Sequence, residues 1–215
     1  MELSEAVRRR RMVRSYDPSR EVDGACLDRL LREALRAPSA GFAQGRELLV
    51  LRRAQERELF WRLTAEHGAP PPRAGAGDGG GRWLAGMRTA PVLVVVLSSP
   101  ATYLERYAEP DKGWTDRDPG RWPVPYWDVD AGMAAHQLLL SAVDAGLGAC
   151  FFGVPSGAHA AVRESFGVPA ERRLVGVVSL GHPAPDRRSP SLRRGRRPAA
   201  EVVHDGRYGG GWPAG

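Results

Sequence analysis

Apolar residues recur along the chain with two periods, and the change between them marks out its elements. Cys26, Leu27, Leu30, Leu31, Ala34 and Leu35 fall at i, i+3 and i+4 spacing. That spacing predicts an amphipathic helix over 24–36, with Asp23 as its N-cap and Pro38 as its stop. Residues 2–11 and 54–66 also read as helices, and 100–107 as one or two helical turns. Residues 12–20 read as an extended link. The short apolar runs within 47–52, 91–98, 149–154 and 174–180 read as buried strands, the last of them central. The best helix is predicted over 126–146. There Ala131, Ala135, Leu138, Ala142 and Ala145 form one stripe, and Val129, Met133 and Leu140 cover another face. A helix this apolar all round belongs in a core or an interface. Residues 156–166 read as a helix capped by Ser156. Strands alternating with helices indicate an α/β or α+β architecture.

Between these elements lie three segments without periodicity. Residues 67–82 carry Pro70-Pro71-Pro72 and then Gly75, Gly77, Gly79, Gly80 and Gly81, the composition of a mobile surface loop. Gly75–Gly80 matches the dinucleotide pattern G-x-G-x-x-G. That pattern has meaning only directly after a strand and opening a helix, and here a proline run precedes it. Residues 109–125 form an irregular segment rich in tryptophan and proline. The tail, 184–215, is rich in Arg, Pro and Gly, and only 201–204 looks able to order. Such a tail is either disordered or packed onto a partner subunit. The organisation expected is one domain over 1–183, with a Gly/Pro-rich loop at 68–82 and an aromatic insert at 108–127, followed by the 184–215 segment.

Composition narrows the class. With 42% hydrophobic and 26% charged residues in 215, the chain has an ordinary globular balance and enough length for a sizeable core. Its most apolar run, 90–97, is too short to span a bilayer, so no membrane partner is expected. Glu2 and Glu5 open the chain without an apolar secretory region, and Cys26 and Cys150 are far apart without metal-ligand spacing. Free thiols in a reducing cytoplasm, and no metal site, are the expectation. Net charge is +6, and Lys112 is the only lysine, so the positive charge is almost entirely arginine. Clusters at 8–11 and 193–197 have the forked donors that suit phosphate. Neither is interleaved with stacking aromatics and no nucleic-acid motif accompanies them, which argues against a nucleic-acid partner.

Four stretches together carry a resemblance. They are Arg10-Arg11-Met12-Val13-Arg14-Ser15-Tyr16; Ala37-Pro38-Ser39-Ala40-Gly41-Phe42-Ala43-Gln44-Gly45-Arg46; Asp130-Ala131-Gly132 through Gly146-Leu147-Gly148-Ala149-Cys150-Phe151-Phe152-Gly153; and Gly181-His182-Pro183 followed by a basic segment to Pro198 and Glu201-Val202-Val203-His204. In this order they resemble the nitroreductase family of flavin enzymes. The family patterns are R-R-S-x-R-x-F, A-P-S-x-x-N-x-Q-P-W, a helix with D-x-G near its start and G-L-G near its end, and a strand closing in a G-x-P turn.

The resemblance implies an α+β fold: a three-layer α/β/α sandwich with a mainly antiparallel sheet, in an intertwined homodimer with FMN at the subunit interface. It implies that Arg10, Arg11, Met12 and Arg14 face the flavin's phosphate, ribityl chain and polar edge. Pro38, Ser39, Ala40, Phe42 and Gln44 would come from the other subunit. The backbone of Phe152 and Gly153 would approach N5. Arg194 and Arg196 would close over the phosphate, with Arg197 as a register alternative. Arg14 is the candidate for stabilising negative charge at the N1–O2 edge. The implied activity is transfer of reducing equivalents from NAD(P)H through the flavin to a nitroaromatic, quinone or other planar acceptor, by a ping-pong mechanism. Two rivals stand beside it: a flavin-dependent oxidase or dehydrogenase that tailors a small metabolite, and a non-enzymatic basic dimer that binds a polyanion.

The chain leaves the family pattern at Met12, Phe42 and Gly45-Arg46, which exchanges polar groups near the ring for apolar bulk and bears on substrate preference. Trp114, Trp122, Tyr126 and Trp127, together with Phe42, are the candidate substrate pocket. The insert reads either as a lid stacking on a planar substrate or as a loop packed onto the protein. His136 reads as a hydrogen-bonded core histidine, Asp130 as structural and Cys150 as a buried small residue.

Overall fold

A computed structural model describes residues 1–68, 79–186 and 189–212. Its order is α1 (Leu3–Arg9), α2 (Gly24–Leu35), β1 (Arg46–Leu51), α3 (Ala54–Gly68), α4 (Gly79–Arg88), β2 (Val92–Ser98), α5 (Pro100–Ala108), α6 (Tyr126–Asp144), β3 (Gly148–Phe152), α7 (His159–Ser165), β4 (Arg173–Gly181) and α8 (Ala199–Val202). Contacts divide the chain into two compact units, Met1–Pro185 and Asp186–Gly215.

The first unit is built on a four-stranded antiparallel sheet of order β1-β2-β4-β3. Every residue of β2 is buried. Its alternating side chains divide between two cores, as the two-residue period of a strand requires. Leu93, Val95 and Leu97 join Phe60, Trp61 and Leu63 of α3, Met87 of α4 and Val162 of α7. Val92, Val94 and Val96 join Leu27, Leu30 and Ala34 of α2 and Ala131, Ala135, Leu138 and Ala142 of α6. The fold is thus α+β, with helices supplying both cores.

The predicted helices and strands recur with small shifts at their ends, and Asp23 caps α2 by accepting from the Cys26 N–H at 2.9 Å. Four expectations are corrected. Residues 67–68 and 79–82, assigned to a loop, end α3 and open α4; residues 69–78, including Gly75–Asp78 of the glycine pattern, lie outside the described residues. Ser156 is no cap: it begins a 3-10 turn, Ser156–Ala158, that leads into α7. His136 is exposed rather than in the core, because α6 buries the alanine stripe and turns its other face outward. The tail orders more widely than 201–204, with a 3-10 turn at Pro190–Arg194, helix α8 and a bridge between His204 and Gly211.

The segment before α2 docks onto the sheet rather than hanging free. Val13 N–H donates to the Ala149 carbonyl at 2.9 Å, and Met12 forms a parallel bridge to Ala149, covering part of the outer edge of β3. Tyr16 then turns inward. Its buried hydroxyl donates to the Val13 carbonyl at 2.7 Å and lies 2.7 Å from the Ser179 hydroxyl, which in turn reaches the Cys150 carbonyl at 3.3 Å. One ring thereby ties the arm to both β3 and β4.

Tyr16→Phe leaves these buried groups short of a partner and is expected to cost about 1–2 kcal/mol in urea unfolding. Adding Ser179→Ala removes the orphaned hydroxyl, so the double variant should lose clearly less than the sum of the single ones. Strict additivity would show that the two hydroxyls do not act as a pair.

Candidate functional site

The arm that carries the arginines is seated on β3 through Ala149 and Phe151. Arg10 is the C-cap of α1 and has already left helical geometry. It is half-buried, and among the described residues its guanidinium has no hydrogen-bond or ion-pair partner. Arg9 is drawn off by Glu5 at 3.1 Å. Arg11 is exposed, and Arg14 is half-buried with Nη1 3.4 Å from the Met12 carbonyl. Helix α4 packs tightly here: a Cβ on Gly86 would sit 2.2 Å from the Arg14 carbonyl oxygen. Met12 contacts both cores, and its sulfur accepts the Phe151 N–H at 3.5 Å. Its side chain closes the strand edge.

Strand β3 ends at Phe152, and Gly153 follows it directly. The Phe152 ring turns away into the first core, stacked on Trp61 at 5.5 Å with a 13° tilt and met edge-on by Phe60 and Trp83. Gly153, directly after the strand, is exposed, and a Cβ there would meet nothing within 4 Å. The end of β3 therefore offers approachable backbone at Gly153.

Residues 38–44 are held elsewhere, by α5 and α6. The loop is costly in its backbone. Gly41, Phe42 and Gln44 all have φ between +56° and +58°, a region that costs about 1–3 kcal/mol for a residue other than glycine. Several contacts offset this. The Ala40 N–H donates to Asp130 Oδ2 of α6 at 2.8 Å, and the same oxygen accepts the Tyr103 hydroxyl of α5 at 2.6 Å. Arg106 Nε donates to the Gly41 carbonyl at 2.8 Å while its Nη atoms pair with Asp111. Ser39 Oγ accepts the Gln44 N–H at 3.1 Å. Asp130 is only 3% exposed. Burial, and then the bond to Asp130, push the Tyr103 phenol well above its ordinary pKa, which keeps it a donor at any working pH. The hydrogen bond from Arg106 holds the Asp111 carboxyl below the usual carboxylate range. The product of this framework is an exposed Gln44 and a Phe42 ring that is 74% exposed.

The aromatic insert packs behind this loop. Trp122 lies at the centre, with ring centroids 4.6–6.0 Å from those of Tyr103, Tyr107, Trp114, Tyr126 and Trp127. The indole N–H groups of Trp122 and Trp127 are buried without a partner among the described residues. The Tyr107 ring presses on the loop, so a Cβ on Gly41 would lie 2.7 Å from its Cε2.

Pro38 faces a groove of about 830 Å³ along α6, lined also by Leu3, Ala6, Val129, Met133, His136 and Leu140. Val129 and Met133 are 36% and 42% exposed.

Asp130 was legible in the D-x-G motif as a structural residue. Arg106 and Tyr103 carried no sequence signal, since Arg106 acts on a carbonyl 65 residues away and Tyr103 on the Asp130 carboxylate 27 residues away. Arg46 is a further omission. It is buried, its Nη2 donates to the Leu35 carbonyl at the end of α2, and its Nε and Nη1 have no partner among the described residues. Within the second unit, Arg197 is engaged by Glu201 at 3.3 Å, whereas Arg194 and Arg196 are exposed and without partners among the described residues. Among the described residues no helix is long and apolar enough to cross a membrane, and no group of three or more His, Cys, Asp or Glu could hold a metal.

Residues 7–182 match the profile of the Nitroreductase family. A Methanothermobacter thermautotrophicus protein with the provisional name NADH dehydrogenase/NAD(P)H nitroreductase is 26% identical over 186 residues, covering 86% of this chain and 78% of that protein. Among solved structures, a nitroreductase family protein from Streptococcus pneumoniae superposes with a TM-score of 0.70 at 16% identity, over 94% of this chain and 99% of the other. A Desulfovibrio desulfuricans protein, provisionally named a nitroreductase and solved in complex with FMN, superposes with a TM-score of 0.60 at 22% identity, over 92% and 98% of the two chains.

Gly41→Ala combines left-handed backbone strain with the Tyr107 collision and is expected to cost about 2–3 kcal/mol in urea unfolding. Gly153→Ala, which meets open space, should stay within about 0.5 kcal/mol of the parent. Equal losses at the two positions would contradict the account of the loop.

Proposed function

The chain belongs to the nitroreductase family, and from that premise we propose that it is an FMN-dependent oxidoreductase passing reducing equivalents from NAD(P)H to a planar acceptor. The observation that carries this reading is the seating of the 10–14 arm on β3 at Ala149, the strand whose other end leaves open backbone at Gly153. A guanidinium with no partner among the described residues, at Arg10, and a glycine whose Cβ position is empty are what a phosphorylated, ring-bearing cofactor requires of a protein surface. The FMN complex of the Desulfovibrio protein and the NAD(P)H named for the Methanothermobacter protein support the same choice.

In this reading Arg10, Arg11 and Arg14 hold the phosphate and the polar edge of the ring. Met12 and Phe152 keep the adjoining backbone in place. Ser39 retains a hydroxyl proton to donate, because the Gln44 amide uses only its acceptor side. Gln44, which is exposed, has its side-chain amide turned to solvent and available. Arg194 and Arg196 are carried as phosphate donors on the family resemblance alone. When bound, FMN supplies reversible two-electron chemistry at N5. The cationic groups of the arm favour negative charge at the ring's polar edge. Donor and acceptor use the same open side in turn, which is ping-pong kinetics. Phe42 offers an aromatic face to a planar acceptor.

The same reading makes the protein a homodimer of three-layer subunits, with residues 38–44 serving the flavin of the other subunit. Supporting it, the outer face of α6 leaves Val129 and Met133 uncovered beside Pro38, so the groove there adjoins the loop assigned to the second subunit.

Two measurements test this. Reconstituted protein should bind FMN with a flavin absorption band and oxidise NAD(P)H with a quinone or nitroaromatic acceptor. The Arg10→Ala/Arg14→Ala variant should bind FMN roughly a hundredfold more weakly by fluorescence quenching. Undiminished FMN binding in that variant would remove the arm from the site, and a parent protein that takes up no FMN would end the flavin reading. In sedimentation, Met133→Glu should shift the dimer toward monomer. A dimer of unchanged strength would place the interface elsewhere.

A further inference from the structure

The family resemblance assigns residues 38–44 to the cofactor but says nothing of what sets their shape. Left to itself this loop would not keep it, because three of its residues occupy left-handed backbone and two of those carry full side chains. The groups that hold it come from the far side of the unit's sequence and act on the backbone of two adjacent residues. Asp130 takes the Ala40 N–H, and Arg106 takes the Gly41 carbonyl. Each gripping group is itself fixed: Asp130 by the Tyr103 hydroxyl, and Arg106 by paired contacts to Asp111 and a further one to Glu109. Tyr107, braced by Trp114 and Trp122, closes the remaining side against Gly41.

We propose that Asp130 and Arg106 are positioning residues which preset residues 39–44 for the flavin and its planar substrate, and that the aromatic insert is the mount for this clamp. The inference rests on the flavin reading above. Charged partners suit the task. Hydrogen bonds to an ionised group are about twice as strong as neutral ones and can outweigh the strain at Phe42 and Gln44. A loop already in its bound shape loses less freedom when the ligand arrives, so the clamp acts on affinity rather than on chemistry. Because Arg106 sits on α5, in the segment that leads into the insert, and Asp130 on α6, just after it, a shift of the insert would be felt at Phe42 through two bonds. The insert thus governs how the Phe42 ring is presented while standing behind it.

The test uses full-length protein loaded with FMN, with hydrogen exchange at 38–44 followed in the flavin-free form. Arg106→Ala should speed exchange of the amides in 40–44, weaken FMN about tenfold, and raise KM for a quinone acceptor more than it lowers kcat. Arg106→Lys, which can still donate to the Gly41 carbonyl and pair with Asp111, should restore most of each. Asp130→Ala should act in the same direction and add little to Arg106→Ala, since both release one loop. Arg32→Ala breaks an exposed pair with Asp28 on α2, away from the loop and the insert, and it should leave FMN affinity and exchange at 38–44 unchanged. Should Asp130→Ala fail to fold, the Arg106 series carries the test alone. Faster exchange with FMN affinity and KM unaltered would overturn the proposal, reducing the clamp to packing. Equal losses in Arg32→Ala would do the same. Failure of the parent protein to bind FMN is a separate result, and it would sink the flavin reading and this inference together.

Discussion

Strand Val92–Ser98 is apolar on both faces and buried along its whole length. An antiparallel strand can leave one face to water, but one with valine or leucine at six successive positions cannot. The chain answers with two sets of helices, and most of the architecture stems from that arrangement. Residues from α3, α4 and α7 meet Leu93, Val95 and Leu97, while α2 and α6 meet Val92, Val94 and Val96. Once α6 has committed its alanine stripe to the second core, its other apolar face has no place inside. Val129 and Met133 are left outward for that reason, and the proposed dimer is a way of covering them.

The two halves of the candidate site solve a shared problem by different means. Each needs irregular backbone held in one shape beside a ligand. The 10–16 arm is held by sheet-like bonding to Ala149 and by the buried Tyr16 hydroxyl, so its order derives from the core. The 38–44 loop has no strand to lean on and holds unfavourable dihedrals, so it is fixed by charged groups on backbone atoms. The specific manner in which Phe42 is displayed belongs to this chain, where an aromatic ring stands at the position the family pattern gives to asparagine.

How legible this was in the sequence depended on how local the governing physics is. Helix α2 was readable to within a residue because its stripe and its Asp23 cap are neighbours in sequence. Ser156 failed as a cap because a 3-10 turn intervened before α7, a choice made by packing beneath Ala158. His136 was misplaced because hydropathy shows that α6 has two apolar faces but not which one the sheet claims. Helix α4 was not expected at all, and its opening is hidden by Gly79, Gly80 and Gly81. Their low helix propensity is overridden by the later turns of the same helix, chiefly Met87 in the core and the close seat of Gly86 on the arm.

By itself, then, the sequence determined the order and kind of the main elements, the family, and the residue types available to a phosphate and a flat ring. These depend on periodicity, capping and short motifs, all of which act within a few residues. The tertiary structure alone decided that the 10–16 arm docks on β3 at Ala149, that the insert packs behind residues 38–44, and that Asp130 and Arg106 grip that loop's backbone. Those outcomes rest on hydrogen bonds spanning 65 and 90 residues, made to main-chain atoms whose identity no side-chain pattern records.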